Sequence, residues 1–333
     1  MKKYLLLASV AALAFTSCSD QSTEFVGAPE AREISFSPVA KPTTRAAVDG
    51  TTFPTSASIE VAAYDATAEA NYFAPATFSN VTSTATWTGS KYWPFTPATI
   101  NFLAYSELTA GSATWNATNP ASEVTLTMGD NKTAQNDLMY ACGTGTVSQS
   151  TNTLTFPGNI SMAFKHAQAW VKFTVKAGDA TSASAITVNS ITLNSVSCQG
   201  TYTVTHANWD KTKAQRDAAA PAGTLDGSVS GVWSAYDTYA ANVPAVKNAG
   251  YSALSTSAQD FASLMVVPNQ GIASFTINYS LGGNTYNYTY TPASTALAQA
   301  TKYIYDITLT VHEIVIAPTV EDWTNGGTTD VSI

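Results

Sequence analysis

The sequence predicts an all-β protein built from β-sandwiches, on three observations. From residue 51 onward, short runs rich in β-branched and aromatic residues alternate with turn clusters. No segment keeps a 3.6-residue apolar stripe for more than two turns, so amphipathic helices are not expected. Charged residues make up 11% of the chain against 45% hydrophobic, and Thr, Ser and Ala fill the difference, as suits pleated surfaces. With 333 residues the chain is long enough for two domains, each with its own core.

The elements follow in order. Residues 1–18 (MKKYLLLASVAALAFTSC) open with Lys2 and Lys3, run apolar from Tyr4 to Phe15, and end at a small-residue site and Cys18. Spanning a bilayer needs about 20 apolar residues, so this is a secretory signal and not a membrane helix. A signal that ends in cysteine is the pattern of a bacterial lipoprotein, whose thiol takes a diacylglycerol; the plainer alternative is an ordinary signal with an incidental cysteine. Residues 19–30 are polar and read as a tether. Residues 33–37 (EISFS) alternate, which predicts a strand closed by Pro38 and Pro42. Residues 41–50 (KPTTRAAVDG) read as an exposed linker whose lone Arg45 is open to proteolysis.

Further strands are predicted at 59–64, 99–105, 154–156, 169–175, 185–193, 273–279, 286–290 and 303–309. LGGN at 281–284 predicts a hairpin turn, because Gly and Asn adopt positive φ at little cost. Residues 209–220 (WDKTKAQRDAAA) are the one helical candidate, without an apolar face, and read as a surface insertion. Residues 143–153 (GTGTVSQSTNT) are the most turn-like stretch near the middle, which puts a domain boundary near 150.

No catalytic constellation is present in the sequence. His166, His206 and His312 have no partner at metal-ligand spacing, and neither a zinc-protease nor a nucleophile-elbow motif occurs. His166 reads as a structural histidine bonded to backbone, and the pair Glu321 and Asp322 as a solvated turn. No enzyme, cofactor or metal is expected. The net charge of −8, with arginine only at 32, 45 and 216, is the wrong sign for nucleic acid. Cys142 and Cys198 read as small thiols in preference to a bridge. Tyr286, Tyr288 and Tyr290 share one strand face, which suits sheet packing better than glycan stacking.

An ordered set of motifs carries a resemblance. REISF at 32–36 is followed by TTR at 43–45, IEVAAY at 59–64, Trp87, KYWP at 91–94 and INFLAY at 100–105. DLMYA at 137–141 then precedes MAFKHAQAWV at 162–171, LMVVPNQ at 264–270, KYIYDI at 302–307 and VEDW at 320–323. In this order, behind a lipoprotein leader, the chain resembles the fimbrillin family, the type V pilus subunits of Gram-negative anaerobes. The resemblance implies two tandem transthyretin-like β-sandwiches: a signal at 1–18, a tether and removable first strand at 19–45, and domains at 46–150 and 151–333.

It further implies a lipoprotein precursor held at the outer membrane on lipidated Cys18. An arginine-specific protease would cut after Arg45, leaving Ala46 first and removing the strand that carries Ile34 and Phe36. Another fimbrial subunit, of the same or a different kind, would then fill the groove with a donor strand. The donor candidates are Ile314, Ile316, Val320 and Trp323 with the tail to Ile333, although this segment reads equally as a strand of the second domain. The function so implied is that of a structural pilin in a cell-surface fimbrium that supports adhesion to a host or bacterial ligand. The alternative is a lipid-anchored surface glycan-binding protein serving nutrient uptake; a surface hydrolase is disfavoured by the missing acid/base groups.

Overall fold

The structure is a computed structural model and describes residues 31–39, 57–80, 86–106, 108, 111–133, 135–151, 153–206, 209, 229–293 and 296–323. Met1–Ala31 separates as a unit from Arg32–Ile333, and the second unit is described below. The fold is all-β, with one six-residue helix among the described residues.

The first sheet has nine strands: β1 (Glu33–Val39), β2 (Ser58–Asp65), β3 (Ala70–Asn80), β4 (Trp87–Tyr92), β5 (Ala98–Ser106), β8 (Met139–Ser150), β9 (Thr153–Thr155), β10 (Ile160–Ala163) and β11 (Lys165–His166). Their order is β10-β1-β4-β3-β2-β5-β8-β11, with β9 paired to β8. The sheet curls so that β10 comes back over β8. There Gly145 leaves room for Trp93 and Ile160, which an added Cβ would meet at 2.3 and 2.8 Å. The turn-like glycines of 143–153 therefore lie mostly within a strand, their missing side chains needed by the curl rather than by a turn. Ile59, Val61, Phe78, Trp87, Phe102 and Met162 line the enclosed core.

The far face of β2, β5 and β8 is also covered. β6 (Gly111–Trp115), β7 (Glu123–Met128), β14 (Gly200–His206) and β15 (Val229–Ser234) form a four-stranded sheet in the order β15-β14-β7-β6. Its Leu126, Tyr202 and Trp233 pack against Tyr64, Leu103 and Tyr140. Burial on both faces explains why β5 reads as an almost unbroken apolar run.

The remaining strands make a sandwich. One layer is β17 (Val246–Lys247), β18 (Gln259–Val266), β12 (Ala169–Ala177), β21 (Thr301–Leu309) and β22 (Ile314–Asp322), in that order. The other is β16 (Ala241–Pro244), β13 (Ile186–Val196), β19 (Ser274–Leu281) and β20 (Asn284–Tyr290). Phe173 meets Phe275 edge-on at 4.9 Å across the core between them. Gly282 and Gly283, at φ 59° and 83°, make the expected hairpin turn between β19 and β20.

Two readings change. The short helix α1 (Ala180–Ala185) was not expected; its ATSASA sequence has no apolar stripe, and it is started by Asp179 accepting from Ser182 N–H. Glu321 and Asp322 end strand β22 instead of forming a turn, and Glu321 pairs with Lys302 at 3.1 Å. Strands β9 to β11, beyond residue 150, still belong to the first sheet, and the second core begins at Ala169. The helical candidate at 209–220 lies outside the described residues apart from buried Trp209.

Candidate functional site

The strand that the sequence singles out, β1, lies inside the sheet. It pairs in parallel with β10 (Phe36 opposite Ile160) and antiparallel with β4 (Phe36 opposite Trp87). Alternation sends Ile34 and Phe36 inward, both at 0% exposure, while Glu33 stays exposed. Phe36 meets Phe78 and Phe102 edge-on, at 4.8 and 5.1 Å. Burying two such side chains stabilises by about 1.5–3 kcal/mol each. At the start of the strand, Arg32 C=O accepts from Trp93 N–H at 2.9 Å.

Two side-chain contacts flank Ile34. The Glu33 carboxylate accepts from Ser90 N–H at 2.9 Å, and the Ser35 hydroxyl donates to Asn159 Oδ1 at 2.5 Å. No sequence signal marks Ser90, Asn159, Phe78 or Phe102, which lie 42 to 124 residues from their partners on β1 and come together only through sheet order. Cys18, Arg45 and Ala46 lie outside the described residues. Arg45 falls in the connection between the end of β1 at Val39 and the start of β2 at Ser58.

The C-terminal candidates form a separate arrangement. Ile314, Ile316 and Val320 sit on β22, an edge strand that pairs with β21 over nine residues, and they pack partly buried on the second core. Pro318 is tolerated there because an edge strand needs no second ladder. Trp323 is 3% exposed and stacks on His166 at 3.8 Å and 13°. His166 Nδ1 lies 3.0 and 3.1 Å from the two Asp137 oxygens, so the buried histidine is held by a carboxylate and not by backbone alone. A carboxylate only accepts, so Nδ1 carries the proton. Gln299 joins this junction by donating to Tyr140 OH, Tyr202 OH and His166 C=O.

Burial raises the ionisations around the cores. The Tyr202 phenol is pushed up by burial first and by neighbouring Tyr140 second, and the Tyr105 phenol, by burial and then Glu60, to about 12. Cys142 and Cys198 are not joined in a disulfide, and burial pushes the Cys198 thiol up to about 12. Tyr290 packs on Phe275 at 5.2 Å and Tyr279 stacks on Tyr286 at 5.6 Å, so the tyrosine ladder serves sheet packing. Among the described residues, no group of three His, Cys, Asp or Glu could hold a metal ion.

A sequence profile described as fimbrillin-like matches residues 44–323. The chain belongs to the fimbrillin-like family. That family is one of fimbrial structural proteins and not of enzymes, so the chain's role is that of a fimbrial subunit at the cell surface, associating with other subunits. No curated protein matches this fimbrillin-like chain in sequence.

Solved structures resemble it at low identity. A protein assigned to cell adhesion from Bacteroides uniformis is 15% identical with TM-score 0.53, over 88% of this chain and 99% of its own. One from Bacteroides ovatus is 16% identical with TM-score 0.47, over 88% and 98%. The tip fimbrial protein Mfa3 from Porphyromonas gingivalis, C-terminally truncated, is 12% identical with TM-score 0.42, over 87% and 100%. The first match speaks to the fold alone, and the other two add no weight.

Proposed function

We propose that this fimbrillin-like chain is a pilin assembled by strand exchange, in which β1 is cut away after Arg45 and replaced by a strand from another subunit. One observation carries the reading. The first strand fills the middle of a core, and yet a single cut in its one connection to β2 frees it without breaking any other strand. A sheet emptied there exposes two rows of unpaired backbone groups, on β4 and β10, and an apolar slot. A strand of matching alternation satisfies both at once.

The precursor reaches the outer membrane on lipidated Cys18, and an arginine-specific protease releases it into the fimbrium, where it serves adhesion to a host or bacterial ligand. The chain passes from the first core to the second between Phe164 and Ala169, and returns at β14 and β15 to cover the first sheet. Arg45→Ala tests the trigger. The variant is expected to stay on the cell as an uncut lipoprotein and to yield no polymer; normal fimbriae from it would sink the proposal.

A further inference from the structure

The sheet β16-β13-β19-β20 carries no Asp, Glu, Lys or Arg in any of its strands, whereas the layer packed against it holds Lys172, Asp260, Lys302 and Glu321. Its outer face bears a ladder of amides: Asn189 donates to Asn278 Oδ1, and Asn278 to Asn287 Oδ1, both at 2.8 Å. Asn287 is exposed on β20, and no described strand continues the sheet beyond it. Such an edge offers backbone N–H and C=O groups to another strand, and proteins guard it with charge, proline, bulges or brevity. The other edges here are guarded or weak. β22 carries Pro318 and Glu321, while β9, β10, β11, β16 and β17 are at most four residues long. Gly111 and Gly231 weaken β6 and β15. Only β20 runs seven residues in unbroken register with β19, free of charge, Pro and Gly.

We propose that β20 pairs antiparallel with β20 of a second copy of this chain, across a two-fold axis at Asn287. Residues 285–289 (TYNYT) read the same in both directions. A two-fold antiparallel pair therefore sets Thr285 opposite Thr289, Tyr286 opposite Tyr288 and Asn287 opposite itself, like residue on like. A self-complementary strand of this kind fits an isologous contact. The hairpin supplies the matching backbone. Its two-residue turn closes on Leu281 and Asn284 as a hydrogen-bonded pair, so Thr285, Asn287 and Thr289 direct N–H and C=O to the open edge. These are the positions that the axis brings together, and about six ladder hydrogen bonds form. The amide ladder then continues into the second copy, and Tyr286, 44% exposed, gains a cross-strand aromatic neighbour. Charge agrees with the choice of partner. Copies with net charge −8 repel each other, and this charge-free sheet lets them meet at least cost. β1 lies in a different sheet, so the pairing does not depend on strand exchange.

The test is disulfide trapping in the full-length chain on cells. Asn287→Cys sets two thiols face to face with Cα atoms about 5.5 Å apart, within disulfide range. Mild oxidation is expected to give a species of twice the mass on non-reducing denaturing gels. Thr285→Cys and Thr289→Cys, also exposed, are each expected to stay single, because the axis holds their copies about 14 Å apart. The two combined are expected to link. Asn287→Lys puts like charges opposite each other and is expected to sediment as a monomer where the parent sediments as a dimer. No covalent dimer from Asn287→Cys, or equal linking by Thr285→Cys or Thr289→Cys alone, overturns the pairing. A monomeric parent, or a dimer that survives Asn287→Lys, overturns it as well. A link from Asn287→Cys only to a different protein overturns the second copy as the partner of this edge.

Discussion

Phe36→Ala in the uncut precursor measures how firmly β1 belongs to the first core. The ring is wholly buried and makes edge-on contacts with Phe78 and Phe102 at 4.8 and 5.1 Å. Truncating a buried phenylalanine to alanine costs about 3–5 kcal/mol, the transfer of the ring plus the cavity left behind. At about 2–4 °C per kcal/mol for a unit of this size, the unfolding midpoint is expected to fall by about 6–20 °C. Tryptophan fluorescence during thermal unfolding reports on the right place, since Trp93 lies 5.8 Å from Phe102 and is buried in the same core. Val315→Ala on β22, where the side chain is 51% exposed, is the matched control and is expected within about 0.5 kcal/mol of the parent. If assembly removes β1, as proposed, assembled fimbriae are expected to be indifferent to Phe36→Ala once formed. A precursor shifted by less than about 1 kcal/mol would refute the placement of β1 as a core strand.

Other consequences follow from the junction and the raised ionisations. His166→Ala removes one partner of the buried Asp137 carboxylate and the surface under Trp323, so it is expected to cost about 3 kcal/mol in denaturant titration. The Cys198 thiol, at about 12, stays protonated at pH 8 and is expected to resist alkylation until the chain unfolds; both Cys142 and Cys198 then label without reductant. The Tyr105 and Tyr305 phenols rise from 10.0 to about 12 through burial first, so the fold favours their neutral form. Their contribution is whole below pH 10 and is lost as pH rises through about 12, so the unfolding midpoint is expected to fall across that window while tyrosinate absorbance rises late.

Local chemistry made much of this molecule readable in advance. Alternation at 33–37 and at 303–309 marks strands whatever they pair with, and the LGGN turn marks its own hairpin. Glycine misled at 143–153 because the same missing side chain serves a turn or a close approach, and Trp93 and Ile160, which decide between them, are distant in sequence. His166 was legible as structural, but its partner Asp137 and its lid Trp323 come from opposite sides along the chain. The site itself was half legible. Ile34 and Phe36 announce a buried strand, whereas Ser90 and Asn159 are ordinary polar residues until sheet order sets them along its edges.

The most direct measurement is the N-terminal sequence and intact mass of the protein sheared from the cell surface. Exchange predicts Ala46 as the first residue, no lipid, and a mass that excludes residues 1–45. A surface protein that begins at lipidated Cys18 and still carries Ile34 and Phe36 would contradict it, because its groove would already be full.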